Sequence, residues 1–398
     1  MPCRTLLLAA ALLACCAGTA AADESKVITL HPEAPWIGPT TIGSLRFLGA
    51  TAIPNDKEEE NTLVGGLSGL DYDPRSGTWV IVSDDRSEHA PARFYHAIIE
   101  LAKGTPEVTL LGKTTFGQEN GALFPDAKTG GEVVDPESIR FDPSGRGVWW
   151  TSEGDRKLGL SPFLRKTEGN GVYLANFPLP AMFTMHKDQE IGPRNNNTFE
   201  GLSFTPDGGA LWLAMESALY QDGPVATVDA GAIARFTKFD RDGKMRGQYA
   251  YQLDPIQAKS AGEHSDNGVS EILALDDDRL LVIERSGVNE GNNHWTLHIR
   301  LYEASVLDLN DATAPHADNV AGVESLAGRK IRPLSKRLIL NLDSLLELGS
   351  PSLPKIDNIE GVSFGPTLPD GNRSLVLVSD NNFNPDQITQ FLAFEVLP

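Results

Sequence analysis

Hydrophobic and polar positions alternate in short runs, and the runs come in matched pairs along the chain. In LSGLDYDPRSGTWVIVSDD from Leu67, an alternating run meets a turn of Asp, Pro and Gly, and a more apolar run follows. The pattern returns in PESIRFDPSGRGVWWTSEGD from Pro136 and FEGLSFTPDGGALWLAMES from Phe199. It returns again in SEILALDDDRLLVIERS from Ser270 and IEGVSFGPTLPDGNRSLVLVSDNN from Ile359. A two-residue period predicts a half-buried strand, and two such runs around a turn predict a β-hairpin. The turn residues act by known means: Pro presets φ, Gly supplies positive φ, and Asp bonds nearby backbone. Aligned on Ser68, Glu137, Glu200, Glu271 and Glu360, the hairpins recur at spacings of 69, 63, 71 and 89 residues.

Hairpins repeating at that period predict four-stranded blades around an axis, hence an all-β chain forming a single β-propeller. Further strands follow most hairpins. They are ARFYHAIIEL and EVTLLGKTTF after the first, and GVYLANF with a weaker AMFTMHK after the second. AIARFTKFD and MRGQYAYQLD follow the third, and WTLHIRLYEA and KRLILNL the fourth. The fifth has only ITQFLAFEVL, while SLRFLGATAI near the N-terminus has no blade of its own. Pairing those N- and C-terminal strands would close the ring and hide both edges. The expectation is five blades, with six as the alternative count and a β-sandwich as the competing architecture. Residues 117–134 read as a Gly-rich connector that could cover one face. Residues 342–349 read as a short helix.

The N-terminus has a different pattern. Arg4 precedes an apolar run from Leu6 to Ala17, too short to span a bilayer, and Ala20-Ala21-Ala22 precedes Asp23. This predicts a secretory signal over residues 1–22 and a periplasmic or secreted protein. Residues 23–45 would form a strap and 46–398 the propeller. Leu12-Leu13-Ala14 before Cys15 leaves a lipid anchor at Cys15 as the alternative. All three cysteines (Cys3, Cys15, Cys16) fall in this segment, so the mature chain would carry no disulfide. No later apolar run is long enough to span a membrane.

Composition adds the sign of the charge. Lys+Arg number 34 and Asp+Glu 54, a net charge of −20. That excludes nucleic acid as a partner, whose phosphates call for Lys and Arg, and favours cations.

The acids occupy fixed places in the repeat. The first hairpin strand begins with Glu137, Glu200, Glu271 or Glu360, and with Ser68 in the first repeat. The second ends with Asp84, Glu153, Glu216, Glu284 or Asp380. A hairpin sets the start of one strand beside the end of the next. With the first strand innermost, these groups would ring one mouth of the central channel, with Asp85, Asp155, Asn381 and Asn382 nearby. Carboxylates so close repel strongly. Protonation, pairing with Arg, or a bound cation relieves that. Arg86, Arg156 and Arg285 follow the second-strand acids, and Arg156 and Arg285 could hold an anionic substrate. Hard oxygens with few His favour Ca²⁺ over a transition metal. The competing reading is that these acids only fix blade spacing. His264, in HSDNG before the fourth repeat, could bind substrate or act as a base, or could be a solvated loop residue. There is no HExxH, no G-x-S-x-G elbow, no P-loop and no Rossmann fingerprint.

The phrases DPESIRFDPSG, NTFEGLSFTPDGGALWLAMES, NIEGVSFGP and VSDNNFNP resemble the phytase-like domain of exported bacterial proteins described as having the esterase-like activity of phytase. The resemblance covers most of the mature chain. It implies a propeller hydrolysing phosphate or carboxylic esters, and β-propeller phytases proper are calcium enzymes with an acidic cleft. No catalytic residue carries over by motif, and basic residues for a highly phosphorylated substrate are sparse. The reading from sequence is thus an ester or phosphoester hydrolase acting on a small molecule. Ca²⁺ would be held by Asp84, Glu137, Glu153, Glu200 and Glu216, with Glu271, Glu284, Glu360 and Asp380. Glu200 and Glu271 would be the catalytic carboxylates. The alternative is a non-catalytic binding module with structural Ca²⁺.

Overall fold

The computed structural model describes residues 29–30, 42–101, 105–258, 265–290 and 295–397. The signal segment 1–22 with Cys15, most of the strap 23–45, and His264 lie outside the described residues.

Five antiparallel sheets form five blades of a propeller. Blade 1 runs from the inside out as Leu67–Asp73, Thr78–Ser83, Arg93–Glu100 and Glu107–Thr115. Blade 2 is Pro136–Phe141, Val148–Ser152, Phe163–Thr167 and Tyr173–Asn176. Blade 3 is Phe199–Phe204, Ala210–Met215, Ile233–Asp240 and Met245–Gln252. Blade 4 is Asp266–Ala274, Arg279–Asn289, Trp295–Ser305 and Ser335–Asn341. Blade 5 is Asn358–Thr367, Arg373–Asp380 and Thr389–Leu397, completed by Ser44–Ile53 from the other end of the chain. Each inner strand packs against that of the next blade, and the fifth against the first.

Closure is the expected one: SLRFLGATAI pairs with the last strand from Ser44↔Leu397 to Ile53↔Thr389. The closing strand is a packed element, because Leu45 and Ala50 are buried in the core between blades 4 and 5. Leu45→Ala is expected to cost about 2–5 kcal/mol of stability in urea denaturation, the usual range for emptying a fully buried Leu site.

Blade 2 departs from the reading above. GVYLANF supplies its outermost strand, and FLRKT supplies the third, with Leu164 buried between half-buried Phe163 and Arg165. AMFTMHK is a 3₁₀ turn at Ala181–Phe183, where Phe183 packs against Phe199. FLRKT is hard to read as a strand because two of its five residues are basic. The connector 117–134 is pinned rather than loose: Phe124 and Val134 enter the core of blades 1 and 2 around Trp150. Leu342–Leu348 is a 3₁₀ helix. Among the described residues no helix is long and apolar enough to cross a membrane.

Candidate functional site: an acidic channel mouth

In every blade the ladder between the first two strands slips by one residue near the same end of the channel. Such a bulge leaves a residue unpaired and re-aims its side chain. The residues at the five bulges are Ser68, Glu137, Glu200, Ser270 and Glu360. Beside them the second strands present Asp84, Glu153, Glu216, Arg285 and Asp380, paired in turn to Gly66, Asp135, Thr198, Gly268 and Asn358.

Blade 4 corrects the sequence alignment by one residue. Its bulge residue is Ser270, not Glu271, and its second-strand position holds Arg285, not Glu284. In a strand a one-residue shift turns a side chain to the other face. Glu271 accordingly points to the axis, where it accepts from Ser138 Oγ (2.7 Å) and Leu202 N (3.0 Å) and pairs with Arg140 (2.8 Å). Glu284 faces blade 3, bonded to Tyr251 Oη, Asn267 Nδ2 and Lys336 Nζ. Neither joins the mouth.

The mouth opens into a cavity of about 560 Å³ lined by Asp84, Asp135, Glu137, Glu200, Glu360 and Arg285, among others. Glu153, Glu216 and Asp380 stand just behind. Asp135, Glu137 and Glu153 each bring an oxygen within 4.8 Å of one another, and so do Glu153, Glu200 and Glu216. Burial first, and then neighbouring carboxylates, drives Glu137, Glu153 and Glu200 well above the usual carboxylate range. Burial drives Asp84 and Asp380 the same way, with Asp380 and Glu360 as their largest neighbouring charges. Burial lifts Asp135 and Glu216 to about 7, against the pull of Arg86 and Arg285 respectively. Burial also raises Glu360, again opposed by Arg285.

Among the described residues, two cations answer these acids. Arg285 donates to Glu216 (3.2 Å) and lies 3.8 Å from Glu360. Arg86 donates to Asp155 (2.6 Å) and lies 3.5 Å from Asp135. Arg156 is not among them. It is tied to the carbonyls of Pro193 and Gln189 and stacks over Tyr220. Asp85 serves the fold, accepting from the amides of Glu88, His89 and Ala90 and from Arg93. Asn381 likewise bonds Gly66 N and Phe383 N.

The donor set fits a hard cation. Glu200 is 6% exposed and makes no hydrogen bond or ion pair among the described residues. Asn358 Oδ1 and Asp266 Oδ1 are buried at the mouth and accept no hydrogen bond. Orphan oxygens among crowded carboxylates are the ligands that Ca²⁺ takes. The rim is apolar on part of its circuit, with Trp295, Leu297 and a stacked pair of His89 and Phe383 (4.0 Å). Ser87, Asn196, Asn382 and Phe383 hold positive φ of 61°, 53°, 48° and 50° there. Such strain persists where surrounding structure imposes it, and it clusters at functional sites.

A family model described as phytase-like, esterase-like activity of phytase, matches residues 62–383. The chain belongs to the phytase-like family. The match takes in the bulges and acids of all five blades of this phytase-like propeller. No curated protein matches the chain. Among solved structures, a Dyadobacter fermentans protein of unknown function is similar at 12% identity and TM-score 0.37, over 89% of this chain and 99% of its own. The Pseudomonas aeruginosa periplasmic gluconolactonase PpgL is similar at 12% identity and TM-score 0.35, over 93% and 99%. Kuenenia stuttgartiensis hydrazine synthase is similar at 13% and 0.31, over 84% and 98%. This distant likeness carries nothing about chemistry.

Asp135 and Asn358 belong to the mouth and were not legible as such. They occupy one repeat position, but their counterparts Gly66, Thr198 and Gly268 are not acidic. Comparing repeats therefore gives no signal there. Phe383 and Trp295 are ordinary hydrophobic residues until the ring places them.

Proposed function

We propose that the protein is an exported hydrolase of a small ester, a phosphoester in the first place, working with Ca²⁺ at the acidic mouth. The observation that carries this is the convergence of eight buried or half-buried carboxylates (Asp84, Asp135, Glu137, Glu153, Glu200, Glu216, Glu360, Asp380) on one cavity faced by two arginines. Asp135, Glu137, Glu153, Glu200 and Glu216 would hold the cation. A bound divalent ion supplies polarisation of a phosphoryl or carbonyl oxygen and lowers the pKa of a bound water. Arg285 lines the cavity, and its guanidinium is suited to an anionic oxygen. Glu360, 3.8 Å from Arg285, keeps that guanidinium oriented. Trp295, Leu297 and Phe383 give the organic part of the substrate an apolar wall. The signal segment expected from the sequence over residues 1–22 supports export, and the family description supports ester hydrolysis.

The test is a panel of phosphomonoesters, phosphodiesters and carboxylic esters, assayed with Ca²⁺ and with chelator. Turnover of one class, lost in chelator and restored by Ca²⁺, is the expected result. No turnover in either condition, with Ca²⁺ still raising the melting temperature, would replace the hydrolase with a binding module.

A further inference from the structure

We infer that His89 is the general acid of the mouth and protonates the oxygen that leaves when the ester is cleaved. This rests on the hydrolase reading above and adds a residue to it. Among the described residues, His89 is the only histidine that lines the cavity. Its side chain is 46% exposed, so it stands at the rim within reach of solvent.

The ring is held on two sides. Its loop turns on Asp85, whose Oδ1 accepts the amides of Glu88 (2.8 Å) and His89 (3.1 Å) and whose Oδ2 accepts that of Ala90 (2.9 Å). Arg93 Nη1 donates to the same Oδ2 (2.7 Å). Against the burial that would raise it, Arg93 and the amides of His89 and Ala90 hold the Asp85 carboxyl below its usual range. His89 Nδ1 lies 3.6 Å from Asp85 Oδ1, at ion-pair distance. A carboxylate beside an imidazole favours the protonated ring. On its face the ring stacks on Phe383, with centroids 4.0 Å apart and planes 14° apart. Phe383 is itself wedged: a Cβ at Gly65 would come within 2.8 Å of its ring, and one at Gly66 within 2.9 Å. Three of the four strained residues of the rim, Ser87, Asn382 and Phe383, lie in the two segments that bring these rings together. Nδ1 therefore belongs to Asp85. Nε2 makes no hydrogen bond among the described residues and is left for a substrate.

Position decides the role. The crowded carboxylates are buried, whereas His89 shares the outer wall with Trp295, Leu297 and Phe383. That wall would hold the organic part of the ester, and the leaving oxygen belongs to that part. A water oxygen bonds to the phosphorus or the carbonyl carbon as the bond to the leaving oxygen breaks. The leaving oxygen keeps the electron pair, takes the Nε2 proton and departs as an alcohol. The proton lost by the water goes to solvent, and solvent reprotonates the imidazole, so water is the one co-reactant. A positioned acid of this kind contributes about 10²–10⁴-fold. The charged groups of its own loop are Asp84, Asp85, Arg86 and Glu88, with Arg93 behind Asp85. The segment stacked across it, Asn381 to Pro385, carries no charge.

The experiment assays the protein with added Ca²⁺ on two esters of whichever class it turns over, one with an ethyl and one with a 2,4-dinitrophenyl leaving group. Ethoxide needs a proton to leave and dinitrophenolate does not. His89→Gln is expected to lower kcat on the ethyl ester by about 100-fold or more and to leave the dinitrophenyl ester nearly unchanged. The parent's kcat on the ethyl ester should fall on the alkaline side, and that limb should be missing from the variant. Added imidazole should restore part of the ethyl-ester turnover of His89→Ala. Near-UV circular dichroism checks that both variants are folded. Equal losses on the two esters, or no loss on either, would overturn the acid role and leave the hydrolase standing. So would a parent that cleaves the dinitrophenyl ester but not the ethyl ester. A parent that turns over no ester would overturn the hydrolase and the acid together.

Discussion

Glu200→Gln is expected to abolish ester turnover and to cost at least about 100-fold in Ca²⁺ affinity at its set, while the protein stays folded. Residues that merely orient metal ligands already cost about 10–100-fold when lost, and Glu200 would be a ligand. The same variant should behave oppositely in chelator. Burial, reinforced by Glu153 and Glu216, raises the Glu200 carboxyl well above its usual range. The folded state therefore holds a proton there that the unfolded chain releases above about pH 4.5. Stability from such a group is complete below its unfolded pKa and is lost as pH rises through the folded one. Asp135 and Glu216, at about 7, lose theirs between roughly pH 4 and pH 7. The stripped parent should thus melt lower at pH 8 than at pH 5.5, and Glu200→Gln should melt above the parent at pH 8. Each kcal/mol gained corresponds to roughly 2–4 °C or somewhat less in a chain this long. Calorimetric melts with and without Ca²⁺ check both signs. A variant that keeps full turnover would remove Glu200 from the mechanism.

Arg140→Met is expected to destabilise the propeller by about 3–5 kcal/mol, the usual cost of leaving one charge of a buried pair alone. Arg140 is 2% exposed and lies on the axis. Nη1 donates to the carbonyls of Leu70 (2.6 Å) and Ile139 (2.9 Å), and Nη2 to those of Ile272 (3.1 Å) and Val362 (3.3 Å). These belong to blades 1, 2, 4 and 5. Its partner Glu271 reaches blade 3 through Leu202 N. The pair thus ties all five inner strands together. It also separates the acidic mouth from a second cavity at the opposite end, which Arg140 itself lines. Arg140→Met strands Glu271, whereas Arg140→Met with Glu271→Met removes both charges and should recover most of the loss. Urea denaturation of the two variants measures this. Equal losses in the single and double variants would show that the pair contributes only by packing. In the same series Glu271→Gln should lower stability without changing kcat, in contrast to Glu200→Gln.

The repeat made much of the fold legible. Alternation, turn residues and spacing identified five hairpins, and the orphan strands at the two ends predicted how the ring closes. These are local signals, since each needs only a two-residue period or a turn. The second blade misled because Phe163–Thr167 carries Arg165 and Lys166, and its membership is set by pairing with Val148–Ser152.

For the site, repetition located Glu137, Glu200 and Glu360 with Asp84, Glu153, Glu216 and Asp380, since those positions recur. It failed by one residue in blade 4. There, acids at 271 and 284 imitate the pattern while Ser270 and Arg285 occupy the bulge and its neighbour. A sequence records that an acid lies near a strand end. Which face it takes depends on where the ladder slips, and the slip is fixed by how the two strands of the hairpin pair, which neither strand's own pattern records. The sequence by itself determined the repeat, the strand pattern, the excess of carboxylates and the need to close the ring. Only the tertiary structure decided that Glu271 belongs to Arg140 and that Asp135, Asn358 and Phe383 belong to the mouth. The reason is physical: period-two geometry makes one residue of register the difference between the cavity and the axis.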